Sequence, residues 1–105
     1  MKIVILFLTC ANKKEADEIA QTLLRRKLIV CIKMIPVSSS SLWKGKIEKA
    51  EEILLVMESV EFLFAKIEKE VRKIHSYETF VLLSLPVSKV SKGVDKWIRQ
   101  ELKIT

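Results

Sequence analysis

Glycine and proline are scarce in this chain, with two of each among 105 residues. So few chain breakers exclude a flexible linker or a low-complexity composition, and the half of the chain that is hydrophobic points to dense regular structure. Histidine is scarcer still. His75 stands alone, so no H-E-x-x-H motif exists, and one histidine per chain cannot close a four-ligand zinc site. Cysteine is limited to Cys10 and Cys31, both in apolar strand-like runs and not in a C-x-x-C pair. That excludes a disulfide framework and predicts reduced thiols in the cytoplasm. No apolar run approaches the ~18 residues of a membrane span. The apolar start, Ile3 to Leu8, is short for a signal peptide and leads straight into a capped helix, so a buried first strand accounts for it. Catalytic signatures are absent too. There is no glycine-rich phosphate loop, and no serine or cysteine lies in a motif with an activating base. Glu51 and Glu52 are neighbours, so on a strand they face opposite sides. The chain is not expected to be an enzyme or to hold an organic cofactor.

What is present is charge and periodicity. Nineteen Lys and Arg against thirteen Asp and Glu give a net charge of +6. Much of the excess has a local reason, because Arg25-Arg26-Lys27 and Arg72-Lys73 close two predicted helices, where cations oppose the negative dipole end. A nucleic-acid or acidic-lipid partner is permitted by such a balance but not required.

The pattern predicts one domain over residues 1–105. Residues 3–9 form a strand. Asn12 caps a helix, with Glu15 completing a capping-box pattern, and Ala16, Ile19, Ala20, Leu23 and Leu24 form its apolar stripe. Leu28 to Ile35 is a second strand, and Pro36 marks a kink or an edge position. The serine run Ser38–Ser41 continues that strand to a turn at Lys44-Gly45-Lys46, and the third strand runs to Glu58. Ser59 caps a second helix, striped by Val60, Leu63, Phe64, Ile67, Val71 and Ile74. Tyr77 to Val87 is a fourth strand, and Val94, Trp97, Ile98 and Leu102 mark a short terminal helix. The order is β-α-β-β-α-β plus a helix. It defines an α+β, ferredoxin-like sandwich with an extended hairpin between its second and third strands.

Those two strands outrun the helices. A helix of ~15 residues rises about 22 Å, which ~7 strand residues match, whereas Leu28–Trp43 and Lys46–Glu58 are far longer. A two-stranded ribbon is marginal in water, and this one carries Leu42, Trp43 and Ile47 near its tip. Self-association is the expected cover.

Trp43-Lys44-Gly45-Lys46-Ile47 followed by Glu51-Glu52-Ile53-Leu54-Leu55 resembles the hairpin of the CutA divalent-cation tolerance family. Leu28 to Pro36 resembles its preceding strand, His75-Ser76-Tyr77-Glu78 its H-P-Y-E signature, Leu85-Pro86-Val87 its L-P-V, and Trp97-Ile98-Arg99 its terminal helix. The resemblance spans nearly the whole chain. It implies a ferredoxin-like subunit, a homotrimer joined through hairpins and sheet edges, likeness in assembly to PII signalling trimers, and an association with copper or another divalent cation. It also implies metal-ligand roles for Cys31 and His75. Cys10 is a further thiol candidate, offset by two positions from the family's strand-one cysteine. Departures stand at Ser76, Phe80-Val81, Glu58-Ser59 and Ser41-Leu42.

Imidazole suits copper or zinc, and thiolates suit Cu(I). The structural alternatives are a core cysteine at Cys31 and a hydrogen-bonded cap at His75. Tyr77, Glu78 and Lys46, with Trp43 and Gly45 at the turn, make the expected ligand cleft or interface. A small-molecule sensor in the PII manner is the second reading. An RNA-binding RRM-like domain is the third, disfavoured because its central strands would need aromatic residues where this chain has Ile, Leu, Val and Met.

Overall fold

The computed structural model describes residues 1–104. Its elements are β1 (Ile3–Cys10), α1 (Lys13–Arg25), β2 (Cys31–Trp43), β3 (Lys46–Val60), a single 3₁₀ turn (Glu61–Leu63) leading into α2 (Phe64–Ile74), β4 (Leu82–Pro86) and α3 (Val94–Glu101). The four strands form one antiparallel sheet in the order β2-β3-β1-β4, which is the ferredoxin-like arrangement the element order predicts.

Alternation along β1 sets the layers. Val4, Leu6, Leu8 and Cys10 are buried while their neighbours are half-buried, as a strand with one covered face requires. The register places Leu6 beside Met57 and Leu8 beside Leu55. These four side chains meet Ala16, Ile19 and Leu23 of α1 and Ile67 and Val71 of α2 in one core cluster, to which α3 adds Ile98. The helices cover only this face. On the other, Ile5, Phe7, Leu54 and Val56 are half-buried, and Ile35, Leu83 and Leu85 are exposed.

The hairpin projects as anticipated. β1 ends opposite Ile53, so residues 46–52 of β3 pair only with residues 37–43 of β2. This arm extends roughly 23 Å at strand rise and gives the molecule its long dimension of 46 Å. Its tip is a two-residue turn with positive φ at Lys44 (51°) and Gly45 (78°), the geometry of the hairpin turns that match strand twist. Leu42 and Ile47 are 79% and 72% exposed there. Pro36 occupies the edge strand, where its missing N–H is tolerated.

Several expectations need correction. β2 begins at Cys31, because α1 ends in a Schellman motif: Lys27 (φ 56°) donates to the Leu24 carbonyl and Leu28 to that of Leu23. Leu28 therefore packs on Leu23 in the core as part of the cap. Ser59 caps nothing. It is the last but one residue of β3, with its hydroxyl donating to the Leu28 carbonyl at 2.5 Å, and α2 starts from the 3₁₀ turn with no side-chain cap. β4 starts at Leu82, so Tyr77 and Glu78 lie in an irregular segment. Trp43 and Trp97 are 48% and 39% exposed in the single chain.

Candidate functional site

Three element ends converge beyond the core. β1 closes at Cys10, whose parity points its thiol to the helix side. α1 opens at Asn12, whose side-chain oxygen accepts the Glu15 N–H at 2.9 Å, and this places the Glu15 carboxylate at the helix mouth. α2 ends at Ile74, with the His75 N–H donating to the Val71 carbonyl. Cys10, Glu15 and His75 are buried, and their donor atoms lie within 4.8 Å of one another.

Hydrogen bonds fix the imidazole. Nε2 lies 2.8 Å from the Thr9 carbonyl oxygen, and Nδ1 lies 3.1 Å from the Tyr77 amide. A carbonyl only accepts and an amide N–H only donates, so Nε2 carries the proton and Nδ1 offers its lone pair. The ring, with no exposed side-chain surface, stacks on Phe80 at 5.1 Å between centroids.

Glu15 does not complete the reciprocal capping box. Its carboxylate reaches past Asn12, accepting the Ala11 N–H at 2.8 Å and the Ser76 N–H at 2.6 Å, and one oxygen stands 3.7 Å from His75 Nδ1. Burial opposes its ionisation, but the hydrogen bonds from Ala11 and Ser76 outweigh that and hold it below the usual carboxylate range. Cys10 goes the other way. Burial first, then the charges of Glu15 and Glu52, push its thiol up to about 12, so it is protonated at neutral pH.

Next to this cluster, the root of the arm carries a second constellation. The Tyr77 hydroxyl donates to Glu52 at 2.6 Å, and the Ser39 hydroxyl donates to the other Glu52 oxygen. The bond to Glu52, burial and the Glu52 charge raise the Tyr77 hydroxyl to about 12. Between the arm and the 77–79 segment lies a groove of about 360 Å³, with Ser41, Trp43, Glu52, Tyr77 and Glu78 among its walls.

Of the metal ligands expected from sequence, Cys10 and His75 meet, and Cys31 does not join them. Cys31 pairs with Glu58 and Cys10 with Ile53, five positions apart along the shared neighbour β3 and on opposite faces of the sheet. Trp43, Tyr77 and Glu78 share the groove, whereas Gly45 and Lys46 sit at the arm tip outside its walls. Two participants were not singled out. Glu15 has a sufficient local explanation as a capping residue, and Glu52 stands in the hairpin motif with nothing local to link it to Tyr77.

A family model described as "CutA1 divalent ion tolerance protein" matches residues 4–101. The chain belongs to the CutA1 family. Among its relatives, Protein CutA of Homo sapiens is 36% identical over 95 residues, which are 90% of this chain and 53% of that protein. The chain thus spans about half the length of the human relative. The divalent-cation tolerance protein CutA of Archaeoglobus fulgidus is 32% identical over 98 residues, covering 93% of this chain and 96% of the relative. Among solved structures, the periplasmic divalent cation tolerance protein CutA of Archaeoglobus fulgidus superposes with a TM-score of 0.92 at 31% identity, covering 95% and 98% of the two chains. The divalent cation tolerance protein of Thermus thermophilus gives 0.89 at 25% identity, covering 96% and 98%.

The CutA1 family description raises the question of a cation at the buried cluster, and its residues fit one in type, at a spacing wider than coordination requires. A thiol, an imidazole and a carboxylate are donors that zinc and copper accept. Ligands around a four-coordinate zinc stand roughly 3.5 Å apart, so the 4.8 Å cluster needs to contract by about 1 Å. A ligating histidine typically gives its other N–H to a carbonyl or carboxylate, and Thr9 supplies that carbonyl.

Proposed function

We propose that this CutA1-family chain, a single domain over residues 1–105, works as a homotrimer that binds a divalent cation, copper foremost, and serves as a scaffold or regulator. The observation that carries the assembly is the uncovered apolar surface. Leu83, Leu85 and Ile35 are exposed on the helix-free sheet face, and Leu42, Trp43 and Ile47 on the arm, apolar surface of the kind that subunit interfaces cover. Sedimentation equilibrium at micromolar concentration tests it. A mass near 36 kDa, three times the 12.1 kDa chain, is expected, and a monomer at that concentration would defeat the proposal.

Cys10, Glu15 and His75 are the residues assigned to the cation, and Cys31 is left out because of its position. A non-enzymatic role is supported by the state of the one cysteine beside the histidine. Nucleophilic catalysis needs a thiolate, whereas Cys10 is buried with its thiol pushed up to about 12. Both cysteines are free, which supports the cytoplasm as the place of action.

A second reading has one observation in its favour. The groove beside Trp43 and Tyr77, about 360 Å³ in volume, has the size and mixed walls of a small-molecule site, as a sensor working in the manner of the PII trimers would require. Small-molecule screening by thermal shift, with Tyr77→Ala as control, separates the two roles.

A further inference from the structure

The imidazole of His75 has a single lone pair, on Nδ1, and the Tyr77 amide already uses it at 3.1 Å. Its other nitrogen is committed as a donor to Thr9. Glu15 holds the same segment, one oxygen accepting the Ala11 amide and the other the Ser76 amide, with a second lone pair left on each. Ser76 and Tyr77 are consecutive, so the cluster that could take a cation is also the clasp on two successive backbone amides. We infer that a cation and the Tyr77 amide compete for the Nδ1 lone pair, so that cation binding unlatches the 76–77 segment and detaches Tyr77 from Glu52 at the root of the arm. This rests on the cation reading proposed above.

Three features give the competition a consequence. A part-buried amide that loses its acceptor is unfavourable, so the segment must shift until the Tyr77 amide reaches water or another partner. No strand pairing restrains it. Residues 76–81 pair with no strand, β4 beginning only at Leu82, and the remaining ties are Phe80, stacked on His75 and packed against the core, and the Arg72 guanidinium on the Glu78 carbonyl and over the Phe80 ring. The segment also leads directly to the arm. Glu52 sits one residue beyond the last β1–β3 pair, Cys10 with Ile53, and it holds both the Tyr77 hydroxyl and Ser39 of the facing strand. Release of Tyr77 alters the groove wall at the base of the ribbon through which the chains are proposed to associate. Cation occupancy in the interior is thereby reported at the arm.

The test is hydrogen exchange on the assembled full-length protein with and without zinc(II), which avoids copper-driven thiol oxidation, alongside calorimetry. The Ser76 and Tyr77 amides are expected to exchange at least about ten-fold faster with zinc, while those of β1 stay protected. Coupling is reciprocal, so Tyr77→Phe, which keeps the competing amide but loses the Glu52 bond, is expected to bind zinc roughly five-fold tighter. Zinc binding that leaves both amides protected, with unchanged affinity in Tyr77→Phe, overturns the competition and spares the cation site. Calorimetry insensitive to His75→Ala, or to Cys10→Ser if the former does not fold, removes the cation site and the latch together.

Discussion

His75 Nε2 and the Thr9 carbonyl oxygen lie 2.8 Å apart across 66 positions of sequence. This bond pins the end of α2 to the end of β1, and it fixes which ring nitrogen faces Glu15. Replacing His75 by alanine leaves the Thr9 carbonyl and the Tyr77 amide without their partner in a part-buried setting. The loss is expected to be about 2–4 kcal/mol, read as a lower urea midpoint with an unchanged slope.

Glu15 gives the fold an acid-sensitive element. Its carboxyl titrates lower in the folded chain than in the unfolded one, so the ionised form favours folding. That contribution is complete above the unfolded value of about 4.3 and fades as pH falls through the folded value. Glu15→Gln, which sets an amide NH₂ against a backbone N–H, is expected to lose about 1–3 kcal/mol at neutral pH. Urea midpoints of the two proteins measured from pH 6 down to pH 3 are expected to converge; parallel curves would remove Glu15 from the acid response.

Cys10 is protonated and inaccessible in the folded chain. An aromatic disulfide reagent at pH 8 is expected to leave it unmodified in the native protein and to label it once the chain is unfolded in guanidinium. Rapid native labelling at Cys10, located by mass spectrometry, contradicts both its burial and its raised titration.

At the arm tip, Lys44 holds φ at 51° beside Gly45 at 78°. The paired positive φ values suit Asn-Gly better than Lys-Gly, so Lys44→Asn is expected to gain a few tenths of a kcal/mol. Gly45→Ala is expected to lose about 1 kcal/mol from a left-handed side chain, although nothing lies within 4 Å of the added carbon. Thermal melts of both variants decide the signs.

Leu83 is 53% exposed on the sheet face that no helix covers. Leu83→Glu places a charge on that face while the core behind it is untouched. Light scattering is expected to show a smaller species, with circular dichroism unchanged and about 2 kcal/mol or more of association energy lost. An undiminished assembly would place the subunit contact elsewhere.

Much of the fold is legible in the sequence because its signals are periodic and local. The unbroken apolar run Ile3–Leu8 locates β1 without saying which of its faces is buried, and the spacing of Ile67, Val71 and Ile74 locates α2. Element ends are less legible. α1 closes on Lys27, and Lys103 after α3 holds φ at 57°, each a left-handed position where glycine is the usual marker, in a chain with only two glycines. Ser59 reads as a cap by type, yet β3 carries it beneath the Leu28 carbonyl.

The sequence by itself determined the β-α-β-β-α-β order, the long hairpin and its turn, since these follow from strand and helix periods and from run lengths. Only the tertiary structure decided which side chains share a site. Glu15 meets Ser76 and His75, Tyr77 meets Glu52, and Cys31 is parted from Cys10, because side-chain proximity depends on how the element ends stack in space, and no local pattern encodes a contact made across sixty residues.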